Sequence, residues 1–276
     1  MELTFWGVRG SVPVSGKRYV KYGGHTPCAS LVSSEEDLIV IDAGTGIMSL
    51  GESLKENKNK KYVHIHLVFT HFHIDHIMGL PFFSPLFSRE TKVSFYSPLK
   101  SGETQGLLST LMGGRFFPIP FEKTGAEKSI RVIPSEDFFI GNVRVSHIPL
   151  NHPQGSFAYR FSEKGRSILF ATDTEHPEKG LDEQLVAFAQ KTDILIYDAT
   201  FTPDEYKKGR RGWGHSTWKQ GTKIAQKAGV GKLYLSHFSP SHPDKKIDNI
   251  IKSARKIFHE TYGAREGFAL SLEEGS

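Results

Sequence analysis

Thr70-His71-Phe72-His73-Ile74-Asp75-His76 decides how this chain is read. Three imidazoles and a carboxylate crowded into one short stretch form a metal cage, a ligand density that packing alone does not require. Just upstream, His64-Ile65-His66-Leu67-Val68-Phe69 is β-branched and aromatic, which predicts a buried strand delivering the cluster onto a loop at its C-terminal end. Downstream, Ile77-Met78-Gly79-Leu80 predicts the start of a helix over 77–87. Asp75 and His76 then lie near a helix N-terminus while His71 and His73 stay in the loop, so the two pairs can face two different ions.

A two-metal site needs about seven nitrogen and oxygen ligands, with room left for water. Three more candidates each follow a predicted strand: His152 after 143–149, Asp173 after 167–172, and His237 after 232–236. The repeated grammar of strand then ligand links them to the first cluster.

With these residues in place the sequence resembles the metallo-β-lactamase superfamily, whose signature is His-x-His-x-Asp-His followed by a lone His, a bridging Asp and a final His. The resemblance implies one metal held by His71, His73 and His152, a second held by Asp75, His76 and His237, and Asp173 between them. It also implies the α/β fold of that family, a four-layer αββα sandwich. Two further segments, 193–201 with Tyr197-Asp198-Ala199-Thr200-Phe201 and Gly214-His215-Ser216-Thr217, are similar to segments of the tRNA 3′-processing endonuclease RNase Z and of its relatives, the cyclic phosphodiesterases. Tyr197 and Asp198 stand where RNase Z has His and Glu, which leaves a carboxylate one carbon shorter to orient His215.

RNase Z carries its tRNA-gripping arm between the third-ligand His and the bridging Asp. Here the interval from His152 to Asp173 spans 21 positions, filled by a predicted hairpin turning at Lys164-Gly165. The expectation is therefore a compact hydrolase of small or cyclic phosphodiesters, using two divalent ions, zinc or else manganese. Water activated between the ions would attack phosphorus, oriented by Asp75 and Asp173. His215, oriented by Asp198, would protonate the leaving group or stabilise phosphate charge. The alternatives are an RNA or tRNA endonuclease, which the missing arm disfavours, a thioester or lactone hydrolase, and a non-catalytic metal-binding module.

Bulk properties agree with this reading. No linker or repeat divides the 276 residues, so one domain over 1–276 is expected. Cys28 is the lone cysteine and the opening Met1-Glu2-Leu3-Thr4-Phe5-Trp6 reads as a strand, so a cytoplasmic protein without disulfides or a membrane span is expected. A net charge of +5 leans toward anionic partners and leaves an oligomer possible. Lys207-Lys208-Gly209-Arg210-Arg211, just before His215, and Arg9 in the glycine-spaced loop 7–13 are candidates to meet phosphate. His25 is a candidate pocket residue, and Asp42 is expected to cap loop amides behind the metals.

Elsewhere the patterns predict packing. Strands are expected over 3–6, 28–32, 38–41, 63–69, 93–96, 129–133, 143–148, 157–161, 168–171, 194–197, 232–236 and 268–272. Helices are expected over 47–56, 77–87, 103–112, 182–190, 217–227 and 247–258. Lys55, Lys58, Lys60 and Lys61 flank the first helix end, where the dipole favours cations. His64 and His66 should share one strand face, His147 should pack within a strand, and His176, His242 and His259 are expected at the surface. Of Phe82, Phe83, Phe116, Phe117 and Phe121, some could roof the site.

Overall fold

The structure, a computed structural model, describes residues 1–56 and 62–272; Lys58, Lys60 and Lys61 lie outside the described residues. One seven-stranded sheet contains β1 (Glu2–Gly7), β2 (Cys28–Val32), β3 (Leu38–Ile41), β4 (His64–Val68), β5 (Lys92–Ser97) and β6 (Glu127–Val132), with a late strand added beside β1. The second runs through β7 (Phe138–Ile140), β8 (Val143–Leu150), β9 (Ser156–Glu163), β10 (Arg166–Ala171), β11 (Ile194–Asp198), β12 (Lys232–Ser236) and β13 (Thr261–Gly263), in sequence order. The strand beside β1 is β14 (Ala269–Ser271). Helices α1 (Ile47–Glu56), α2 (Ile74–Ile77), α3 (Ser101–Leu111), α4 (Glu183–Phe188), α5 (Pro203–Lys207), α6 (Trp218–Ala228) and α7 (Asp244–Ala254) connect them.

Strand alternation builds the four layers. On β3, Ile39 and Ile41 join Val68 of β4 and Phe161, Ile168 and Phe170 of the second sheet in one apolar core. The alternate residues Leu38 and Val40 point the other way, with Ile65 and Leu67, onto Ile47 and Leu50 of α1 and Leu108 of α3. On the far side Leu185, Ile224, Ala225, Ile247 and Ile251 pack α4, α6 and α7 onto the second sheet. The expected αββα sandwich is the fold observed. None of the described helices is long and apolar enough to cross a membrane.

Local chemistry sets several boundaries differently from the sequence patterns. The helix expected over 77–87 is instead a single turn, α2, followed by two 3-10 turns, Leu80–Phe82 and Ser84–Phe87. Pro81 and Pro85 explain this, since proline lacks the N–H and crowds the preceding turn. The last helix starts after Pro243, three residues before Ile247, and ends at Ala254. Three-residue strands β7 and β13 and the short α5 carry too little periodicity to be read in advance.

Parallel pairing of β3 with β4, and of β10, β11 and β12 with each other, points the C-terminal ends of these strands the same way. Three of them are followed within two residues by a non-glycine residue in the left-handed region: Asp42 (φ 59°), Asp173 (φ 57°) and His237 (φ 56°). Such turns are uncommon outside glycine, Asn, Asp and His and cost about 1 kcal/mol or more each. Here each places a polar side chain at the end of the sandwich.

Candidate metal centre

Four segments, carrying 71–76, His152, Asp173 and His237, converge on that end of the molecule. His71, His73 and His152 each bring a ring nitrogen within 4.8 Å of the others, and Asp75, His76 and His237 do the same with their ligand atoms. Asp173 lies between the groups: its carboxylate is 3.2 Å from His76 Nε2, 3.3 Å from His237 Nε2 and 3.9 Å from His71 Nε2. Asp75 Oδ2 is 3.4 Å from His237 Nε2 and 3.5 Å from His76 Nε2.

The opposite nitrogen of each ring is fixed by a partner. Thr70 donates its hydroxyl and amide hydrogens to Asp42, and Asp42 Oδ2 accepts from His76 Nδ1 at 2.8 Å. With its proton committed to Asp42, the Thr70 hydroxyl accepts from His71 Nδ1 at 3.1 Å. Thr200 repeats the device, donating to the His237 carbonyl and accepting from His237 Nδ1 at 3.0 Å. His152 Nδ1 donates to the Gly214 carbonyl at 2.8 Å, and His73 Nε2 donates to Gln154 Oε1 at 2.9 Å. Each tautomer, assigned from these bonds, leaves one lone pair aimed inward.

Those inward atoms test whether a metal fits. His71 Nε2, His76 Nε2, His237 Nε2 and Asp173 Oδ2 are all buried and make no hydrogen bond. Leaving buried polar atoms unpaired costs about 1–3 kcal/mol apiece, so four facing one another fit divalent cations. Electrostatics fits as well. Burial works against charge on Asp75 and Asp173, yet neighbouring imidazoles, where protonated, hold both carboxyls below their ordinary range, and the carboxylates in turn push His76 well up, so the acidic groups call for positive charge that a divalent cation would supply. His71, buried and facing His76, His152 and His73, is pushed well down and stays neutral.

Asp173, Asp198, His215 and His237 form another group on distance alone, but the bonds of Asp198 decide its role. Its Oδ2 accepts from the Asp173 amide and from His215 Nδ1, both at 3.0 Å, and its Oδ1 accepts from the Thr200 and Ser216 amides. Every lone-pair direction is taken, which suits an orienting group better than a ligand. The shorter carboxylate reaches His215 after all. Burial opposes charge on His215, but Asp198, then Asp173 and Asp75, raise its pKa to about 9.

The model of the β-lactamase superfamily domain matches residues 38–238. The chain belongs to that superfamily. It is similar to a curated ribonuclease Z of Thermoplasma acidophilum, 26% identical over 96% of this chain and 94% of the other. The metallo-β-lactamase fold protein YhfI of Bacillus subtilis has a TM-score of 0.72 at 20% identity, covering 98% of both chains. A diphosphatase of the PhnP family has a TM-score of 0.70 at 21% identity, covering 99% of this chain and 98% of that one. At such identities the structural likenesses carry the superfamily fold.

Other expectations are corrected. Arg9 does not face the site: it is fully buried, and its guanidinium donates to the carbonyls of Gly23 (2.7 Å) and His242 (2.6 Å). It anchors the opening loop, from which the Ser11 amide donates to Asp75 Oδ2 at 2.8 Å. His242, expected at the surface, is buried with Nε2 3.0 Å from Glu205. His176 is half-buried, tilted against Tyr206 with ring centroids 4.3 Å apart and bonded to Ser216; His259 is exposed as expected. His25 is tied to Thr45 and His147 to the Pro134 carbonyl. Phe83 and Phe121 are core residues, whereas Phe82 and Phe116 are exposed. Lys207, Gly209 and Arg211 line a separate cavity of about 510 Å³ with Lys219 and Lys223, none of whose lining residues is a candidate ligand.

Sequence reasoning missed Glu175. It accepts from the amides of Gly212 and Gly214 at 2.8 and 2.9 Å and from the Tyr206 hydroxyl at 2.7 Å, fixing the loop that carries His215. Its position two residues after Asp173 was the available signal. Thr70, Thr200 and Gln154 were missed too, because single polar residues beside ligands have no pattern of their own.

Proposed function

We propose that this protein is a two-metal phosphodiesterase, and the observation that carries the reading is the set of four unbonded inward atoms beside an independently oriented imidazole. His71, His73 and His152 would hold one ion, Asp75, His76 and His237 the other, and Asp173 would bridge them. Zinc is the expected metal and manganese the alternative. Bound divalent ions supply water of lowered pKa and neutralise phosphate charge.

The chain's own residues do the rest. Asp75, held by the Ser11 amide, and Asp173, held through its own amide by Asp198, orient the attacking water. His215 keeps its proton on Nδ1 with Asp198, so its Nε2 is the atom that faces the scissile ester. A protonated His215 donates from Nε2 to the leaving oxygen or to the phosphate charge that builds before it leaves.

Small or cyclic diesters are the first substrate class. The interval from Leu150 to Asp173 is taken up by the loop 151–155, β9, a two-residue turn and β10, which leaves no insertion to grip a tRNA. RNA processing is the second reading, supported by the near full-length similarity to a ribonuclease Z. A turnover screen of zinc-loaded and manganese-loaded protein against cyclic nucleotides, bis-p-nitrophenyl phosphate and precursor tRNA tests both. Hydrolysis of the small diesters without position-specific tRNA cleavage is expected; efficient removal of a 3′ trailer establishes the second reading, and no turnover of any diester overturns both. Salt must be fixed, because the positive charge gives nonspecific RNA affinity.

A further inference from the structure

Beside the first group of imidazoles lies a cavity of about 370 Å³, lined by His71, Phe72, His73, Pro98, Leu99, Leu107, Gln154, Gly155 and Phe157. Its volume is within the range of small-molecule sites, and its make-up is theirs: apolar walls and a few fixed polar groups. Phe72 is braced against Phe69 with ring centroids 4.7 Å apart. Gln154, in the left-handed region at φ 62°, is pinned by His73. Leu107 has no evident packing duty, since α3 buries Thr104 and Leu108 while Leu107 is 39% exposed. An apolar side chain left open beside two candidate metal ligands fits a ligand better than it fits water.

We propose that this cavity seats a flat, apolar-faced ring carried on an ester of the substrate's phosphate. The inference rests on the phosphodiesterase reading and adds which diesters are preferred. With His71 and His73 on its wall, a substrate whose phosphate lies at the metal centre can extend one ester group into the cavity among Phe72, Phe157, Leu99 and Leu107. Such a ring gains by leaving water and by contact with the aromatic faces. A methyl ester gains almost nothing there. The ring is either an aryl group joined directly to phosphate or a nucleobase set back by its sugar.

The test is binding rather than turnover. Zinc-loaded protein is titrated with methyl phosphate, phenyl phosphate and adenosine 5′-monophosphate, with affinity read by calorimetry and position by the methyl resonances of Leu99 and Leu107. At least one ring-bearing ester should bind about tenfold or more tighter than methyl phosphate, the low end of what a stacked base contributes, and should shift both methyl resonances. The stronger of the two identifies an aryl ester or a nucleobase. In Leu107→Gln, a substitution compatible with a half-exposed helical site, the ring must cover an amide, so the preference should collapse while metal content stays. Equal affinities, or a preference that leaves both resonances unmoved, overturn the proposal. Ring preference without turnover of any diester would remove the phosphodiesterase reading and keep the pocket; diester turnover without ring preference would remove the pocket and keep the enzyme.

Discussion

Two His-x-His pairs stand seven residues apart on one stretch of chain, and they have opposite fates. His64 and His66 alternate on β4, share a face and lie with ring centroids 4.0 Å apart at a tilt of 36°. Their ring nitrogens are engaged by neutral groups: His64 Nε2 by Ser94 and His66 Nδ1 by Tyr96. His71 and His73 lie past the strand end, where the chain is free to turn their rings toward carboxylates and toward His152. Spacing is identical in the two pairs, so spacing does not make a ligand. What separates them is where the free nitrogen goes: with Nδ1 held by Thr70, His71 Nε2 is left bare 3.9 Å from the buried Asp173, and with Nε2 held by Gln154, His73 Nδ1 meets His152 Nε2 at 3.1 Å.

The largest effect that can break this comparison is on metal content. Elemental analysis of protein purified without chelator should approach about two transition-metal ions per chain, because seven ligands exceed what one four-coordinate ion uses. His64→Ala should leave that value unchanged. His237→Ala should chiefly empty the second site and His152→Ala the first, each lowering affinity by more than about 100-fold, since even partners behind the ligands are worth 10–100-fold. A reproducible single ion in the unaltered protein, or full loading of both variants, would remove the distinction between the pairs.

A smaller effect separates His215 from both. His215→Ala should fold, keep its metals and lose about 10²-fold or more in kcat on a phosphodiester, the usual scale for losing a proton donor or an oxyanion contact. The loss should be smaller for a p-nitrophenolate leaving group than for an alkoxide if the role is proton donation, and equal if it is charge stabilisation. Loss of a metal from this variant would make His215 a ligand and Asp198 its support. Wild-type turnover of every diester would remove His215 from the chemistry.

Much of this was legible because the site is built from strand ends. A short β-branched run followed by His or Asp marks both an element and a candidate ligand, so β4, β8, β10 and β12 and the residues after them could be read together. Asp42 was legible for the same reason, and it does hold Thr70 and His76. The fate of Arg9 was not, because its partners, the carbonyls of Gly23 and His242, are brought to it by tertiary folding alone. Glu175 stayed hidden because its role is to bind amides 37 and 39 residues away. Helix limits failed where proline overrides periodicity, at Pro81, Pro85 and Pro243.

The smallest effect belongs to the pair on β4. Burial, reinforced by His64 and Arg131 and only partly opposed by Asp37, pushes the His66 pKa down to about 4. The folded protein therefore binds fewer protons at this site than the unfolded chain between about pH 6.5 and 4. Stability from neutral His66 is complete above the upper limit and is lost as pH falls through the window, by about 1 kcal/mol per pH unit. His66→Gln keeps a partner for the Tyr96 hydroxyl without titrating. Urea unfolding of both proteins in chelator, so that metal release does not contribute, should show the unaltered chain losing stability relative to the variant from pH 6.5 to 4. The two should run parallel above that range. A difference that stays constant down to pH 4 would mean that His66 accepts a proton without penalty. The contrast between the pairs would then rest on the bare nitrogens of the metal centre alone.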